Sequence, residues 1–242
     1  MTDVKINMPT HYALERDLLE QLSGRPGHQR CVVGRDELLL VLHEVPKAGV
    51  PERNAVFFWR SRDGRWFQPD GEGLKGLGDL LDRYAKAIDE NEEILEKTDE
   101  AEDLFRVLKH AGPLTRSSRN MVVALEQVLA QEPDDRLMRT YRDRSREIER
   151  AAELLHADGR ETLLFWQAEA AEEHTKSATR FGNILFKLNL VTGFFLPLVA
   201  FGGLFGMNVD LPEFTQGMFW WIFLGALGVG GGLLWYVAKE RR

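Results

Sequence analysis

The chain has 242 residues, a formal net charge of −7 and a mean hydropathy of −0.29. The acidic balance excludes a general nucleic-acid binder, which needs a basic face. Cys31 is the only cysteine, which excludes an intramolecular disulfide framework and fits a reducing compartment.

The first residues, Met1-Thr2-Asp3-Val4-Lys5-Ile6-Asn7, carry no apolar core of a signal peptide, so the first membrane segment is expected to direct insertion itself. A short helix is predicted over 12–22, then the breaker-rich Ser23-Gly24-Arg25-Pro26-Gly27. That stretch lacks the Gly-Lys-Ser/Thr ending of a phosphate loop. Short apolar runs at 31–33, 38–42, 55–59 and 65–68, bounded by Gly, Pro and Asn, predict a small, mostly antiparallel sheet. From Leu74 the spacing turns helical: Leu77, Leu80, Leu81, Tyr84, Ile88, Leu95, Leu104, Phe105 and Leu108 fall largely on one side, and Gly112-Pro113 is expected to end the element. A second helix is predicted over 114–131, stopped by Glu132-Pro133, and a third over 134–157, stopped by Asp158-Gly159. Asp134 and Asp135 suit a helix N-terminus, where carboxylates meet unpaired N–H groups. The fold class is thus α+β, with a cytoplasmic domain over 1–160.

The last part is apolar. A stalk helix over 161–187 is expected to run without a break into a first span at 188–207, and a second span covers 217–238. Each is long enough to cross about 30 Å of hydrocarbon as a helix. The connection 208–216 is too short for a domain, so the two spans predict an antiparallel hairpin. Lys176, Arg180 and Lys187 precede the first span and a basic tail, 239–242, follows the second, whereas the connection holds no Lys or Arg. Both termini are therefore expected in the cytoplasm, with the protein in the inner membrane. Two helices alone enclose no aqueous path, so conduction requires an oligomer.

Read at alternating spacings of four and three, one stripe of the stalk and first span contains Leu164, Ala168, Ala171, Thr175, Ala178, Gly182, Leu185, Asn189, Thr192, Leu196, Val199, Gly203 and Gly206. A sustained 3.5-residue period keeps one seam towards the same partners. Small residues suit tight helix packing, while Asn189 and Thr192 at membrane depth favour a bundle interior or water.

Phe195-Leu196-Pro197-Leu198, then Gly206-Met207-Asn208, Leu211-Pro212-Glu213 and a second span ending in basic residues resemble the CorA family of divalent-cation channels and transporters. The resemblance covers roughly residues 181–242; the rest matches only in general layout and is shorter than is typical of the family. It implies a homo-oligomer, a pentamer in that family, with Gly206, Met207 and Asn208 as the selectivity filter. Leu185, Leu188, Asn189, Thr192, Leu196, Val199 and Gly203 would line the pore, and Leu188 enters by its aligned position although it lies one residue off the stripe.

The first span has no carboxylate, and a divalent cation, magnesium above all, holds its water tightly. The expected cargo is therefore a hydrated ion handled through its water shell by neutral oxygens, with the Asn208 amide oxygen repeated as a ring. Gly206 permits close backbone approach and Met207 packs the turn. Asp210 and Glu213 either concentrate cations at the outer mouth or are ordinary loop charges.

Two further metal readings are expectations only. The acidic tract with Asp89, Glu93, Glu96, Asp99, Glu100 and Asp103 is either a regulatory cation site between protomers or a solvated helix face. His174, beside Glu172 and Glu173, is a zinc candidate or a surface histidine; the six histidines show no paired ligand spacing. No cofactor fingerprint and no nucleophile–base arrangement occurs, so no enzyme is expected. The partners are then the chain itself, the lipid bilayer and a divalent cation (magnesium, zinc, cobalt or nickel), with no nucleic acid. The competing reading is a membrane-anchored sensor or scaffold with a vestigial pore.

Overall fold

The computed structural model describes residues 9, 12–22, 28–50, 53–206 and 213–239. The chain divides into two compact units, Met1–Phe165 and Trp166–Arg242. The first holds α1 (Arg16–Gln21), then β1 (Arg30–Val33), β2 (Leu38–His43), β3 (Ala55–Arg60), β4 (Trp66–Gln68) and β5 (Gly71–Glu72), then α2 (Lys75–Lys97), α3 (Ala101–Gln131) and the beginning of α4 (Arg136–Gly206). The remainder of α4 and α5 (Glu213–Lys239) belong to the second.

The sheet is an antiparallel meander in the order β1-β2-β3-β4-β5. Every residue of β2 is buried, because alternate side chains enter two different cores. Leu38, Leu40 and Leu42, with Phe58 of β3, pack against Leu77, Leu80, Leu81 and Tyr84 of α2 and Leu114 and Met121 of α3. Leu39 and Val41, with Phe57 and Trp59, pack on the other face against Tyr12 and Leu18. Tyr12 Oη donates to Phe57 O at 2.7 Å, which holds the segment before α1 on the sheet. α1 is shorter than the predicted 12–22 helix: residues 12–15 precede it, with Glu15 extended and Tyr12 spent on β3.

Three expected helix boundaries are corrected. The helix from Leu74 ends at Lys97, not at Gly112-Pro113, and Thr98 Oγ1 accepts from Glu100 N at 3.2 Å to turn the chain. The turn resets the phase, so Leu104, Val107 and Ala111 are buried while Phe105 is exposed. Pro113 lies inside α3. It deletes one backbone hydrogen bond, but Ala111, Leu114, Ser117 and Ser118 around it are fully buried, and the Thr115 hydroxyl lies 3.0 Å from Ala152 O of α4. Packing thus outweighs the local break.

Asp158-Gly159 does not stop a helix either, because α4 passes through it without interruption. A Cβ at Gly159 would stand 2.9 Å from Leu108 Cδ2, so the glycine serves close approach of α4 to α3. The α4 N-terminus does fall where the aspartates suggest: Asp135 Oδ1 accepts from Met138 N at 3.0 Å.

Candidate functional site

Among the described residues one helix, α4, is long and apolar enough to cross a membrane. Within the second unit, α5 occupies one side of it. A Cβ at Gly230 would lie 3.0 Å from Phe194 O, and Ala226, one turn earlier, is buried. On α4 the half-buried residues of this region are Phe186, Leu190, Gly193, Phe194, Pro197 and Leu198. At 100° per residue these centre roughly opposite the stripe of Leu185, Asn189, Thr192, Leu196, Val199 and Gly203.

Every member of that stripe is exposed, as are Leu188 and Gly206. The second helix therefore leaves the semi-polar side of α4 uncovered. Thr192 Oγ1 donates to Leu188 O at 2.9 Å, which spends its only proton on its own helix. What Thr192 presents outwards is an oxygen with free lone pairs, a neutral acceptor for water hydrogens. Asn189 adds an exposed amide three residues earlier.

Gly206 ends α4 with open space where a Cβ would be. Met207, Asn208 and Asp210 lie outside the described residues. Glu213 is the first residue of α5.

The acidic tract is divided by the turn after α2. Asp89, Glu93 and Glu96 ride on α2, Asp99 and Glu100 form the turn, and Asp103 sits in the first turn of α3. Glu93 is bonded to Lys97 at 2.5 Å, which holds its carboxyl below the usual range, and Asp103 pairs with Arg106 at 2.9 Å. Glu92 is different: burial first, then the charges of Asp89, Glu96 and Asp158, push its carboxyl up. Among the described residues no three His, Cys, Asp or Glu side chains of one protomer converge as a metal-holding group. His174 is exposed on α4, and its neighbour Glu172 is engaged by Lys176 at 2.6 Å.

Sequence reasoning missed a pair of aromatic girdles. Trp220 and Trp221 near the start of α5, and Trp235 and Tyr236 near its end, are all exposed, Trp221 by 74%. The fifteen residues from Trp220 to Trp235 correspond to about 22 Å of helix. Aromatic side chains at both ends of an apolar segment are a signal of two membrane–water boundaries, and the signal stood in the sequence.

The profile of the CorA-like Mg2+ transporter protein family matches residues 72–239. The chain belongs to the CorA-like family, a family of divalent-cation transporters. Among solved structures it is similar to full-length CmaX, with 18% identity over 93% of this chain and 79% of that one and a TM-score of 0.51. It is also similar to the cytoplasmic domain of ZntB from Vibrio parahaemolyticus, with 12% identity over 68% and 80% and a TM-score of 0.49. A third is the CorA magnesium transporter from Methanocaldococcus jannaschii, at 13% over 87% and 78% with a TM-score of 0.39. The CmaX likeness supports a common fold: long helices with a small antiparallel sheet. No curated protein matches the chain by sequence.

Proposed function

We propose that this chain forms an oligomeric conduit in the inner membrane, a pentamer by resemblance, that passes a hydrated divalent cation along α4. α4 and α5 cross the bilayer as an antiparallel hairpin, with both termini in the cytoplasm. The observation that carries the reading is the uncovered stripe on α4. Asn189 and the proton-spent Thr192 oxygen lie on the side away from α5, where lipid offers no hydrogen-bond partner and an aqueous axis does. The aromatic girdles of α5 support the span. Apolar Leu185, Leu188, Leu196 and Val199 narrow the path and can close it by dewetting. Gly206, Met207 and Asn208 form the filter, and Asp210 and Glu213 attract cations to the outer mouth.

The test is flux into liposomes with magnesium, zinc, cobalt and nickel side by side. Asn208→Ala is expected to lower flux by about tenfold or more, since a ring of neutral acceptors is lost. Absence of flux for every ion, from intact oligomeric protein, contradicts the conduit and leaves the sensor or scaffold reading.

Regulatory cation binding by the acidic tract, in this reading, needs carboxylates from a second protomer, because one protomer assembles no metal-holding group among its described residues. Glu92, whose carboxyl is pushed up by burial first and then by the charges of Asp89, Glu96 and Asp158, supports it in part, because a bound cation relieves the repulsion among these carboxylates. Adding a chelator is expected to speed proteolysis near residues 98–100, and identical digestion with and without cation rules the sensing role out.

A further inference from the structure

A second face of α4 has a different character. Lys176, Arg180 and Lys187 fall within about 40° of one another around the helix, on the side remote from Asn189 and Thr192. All three are exposed. Lys176 is engaged by Glu172, whereas Arg180 and Lys187 have no carboxylate partner among the described residues. After Glu173 the sequence contains no acidic residue until Asp210, so nothing nearby on α4 neutralises them.

The contact of Gly230 with Phe194 sets the level of the other helix. In an antiparallel pair, Trp235 lies five residues beyond that contact, about 7 Å, and Lys187 lies seven residues before it, about 10 Å. Lys187 and the exposed Trp235 and Tyr236 therefore share one level, at the end of the apolar stretch. Arg180 stands two turns farther out, about 10 Å, past the roughly 5–7 Å of a headgroup layer but within about one Debye length of its surface potential, and its long side chain can reach back towards the phosphates. Unpartnered cations beside an aromatic girdle complement phosphodiester anions: the amine and guanidinium take the phosphate and the rings sit at the headgroup–acyl boundary.

We infer that Arg180 and Lys187 of α4, with Trp235 and Tyr236 of α5, form a docking surface for the headgroups of anionic phospholipids in the leaflet at that end of the span. The inference rests on the membrane hairpin proposed above. On this surface lipid is held at the periphery, away from the stripe that carries the ion, so bilayer composition reaches α4 without touching its conducting side.

Native mass spectrometry of the full-length oligomer in neutral detergent, with phosphatidylglycerol and phosphatidylcholine in competition, reads the preference directly. The unaltered protein is expected to retain phosphatidylglycerol about tenfold or more over phosphatidylcholine, and the Arg180→Gln/Lys187→Gln pair to remove most of that preference. The exchange Arg180→Lys/Lys187→Arg keeps charge and is expected to keep the preference, which separates a charge effect from misfolding. Equal retention of the two lipids, an unchanged preference in the Gln pair, or loss of it in the charge-keeping pair overturns the proposal. Displacement of phosphatidylglycerol by excess inorganic phosphate overturns it in favour of a free-anion site. Alkaline carbonate extraction tests the hairpin itself: protein that stays in the membrane without lipid preference defeats this inference alone, and protein that is extracted defeats the hairpin first.

Discussion

Two apolar runs in this chain meet opposite fates. Leu38 to Leu42 of β2 and the uncharged end of α4 are similar in chemistry, yet β2 is buried on both faces and α4 keeps Leu196, Val199 and their neighbours in the open. The first run is covered by its own chain, with helices on one face and Tyr12 and Leu18 on the other. The second receives α5 on one side only. The remaining apolar side of α4 is exposed in the single chain, and in the conduit proposed above its cover comes from outside the protomer: lipid, other copies, or both.

The sharpest way to break this comparison is to truncate one residue in each run. Phe58 is 0% exposed and Val199 is 68% exposed. Phe58→Ala is expected to cost about 3–5 kcal/mol, by lost transfer energy and a cavity between sheet and helices. Proteolysis of the full chain in rising urea checks it. Val199→Ala should leave that transition in place while changing flux. If both variants shift the transition equally, the two regions are not covered in the different ways described.

A smaller effect sharpens the account of the first unit. Gly159→Leu forces extra volume against Leu108, where even a Cβ would lie at 2.9 Å. It is expected to destabilise by about 1–3 kcal/mol. Gly159→Ala should be close to neutral, because the side-chain tip of Leu108 can move and alanine favours the helix by about 1 kcal/mol. If instead the glycine were a helix stop in the left-handed conformation, Gly159→Ala would destabilise as well, by about 1 kcal/mol.

Much of the first unit was legible. The four longer strands, the Asp135 cap and the buried side of α2 follow from alternation, capping chemistry and helical spacing. β5 was not legible, because two residues show no period. Pro113 and Gly159 misled for one shared reason: they are the strongest local breakers, and close packing on α3 and α4 outweighed them. The true break at residues 98–100 is made by a threonine turn without Gly or Pro, and so left little signal. In the second unit the stripe was readable from spacing, but the side of α4 taken by α5 was not, since small residues occur on both sides. The girdles were readable and passed over. Met207, Asn208 and Asp210 lie outside the described residues, so the filter stands on its motif.

The central claim is that the Asn189–Thr192 side of α4 meets water in the assembled protein. Val191 and Thr192 are adjacent and both exposed in the single chain, yet about 100° apart on the helix. Only Thr192 belongs to the stripe. Cysteines placed singly at these positions, exposed to a membrane-impermeant thiol reagent in liposomes, separate water from lipid. The native Cys31 contributes little background, because burial pushes its thiol up to about 12. The account predicts that Thr192→Cys is modified, with loss of flux, while Val191→Cys stays unreactive. Equal modification of both, or reaction at position 191 alone, would contradict it.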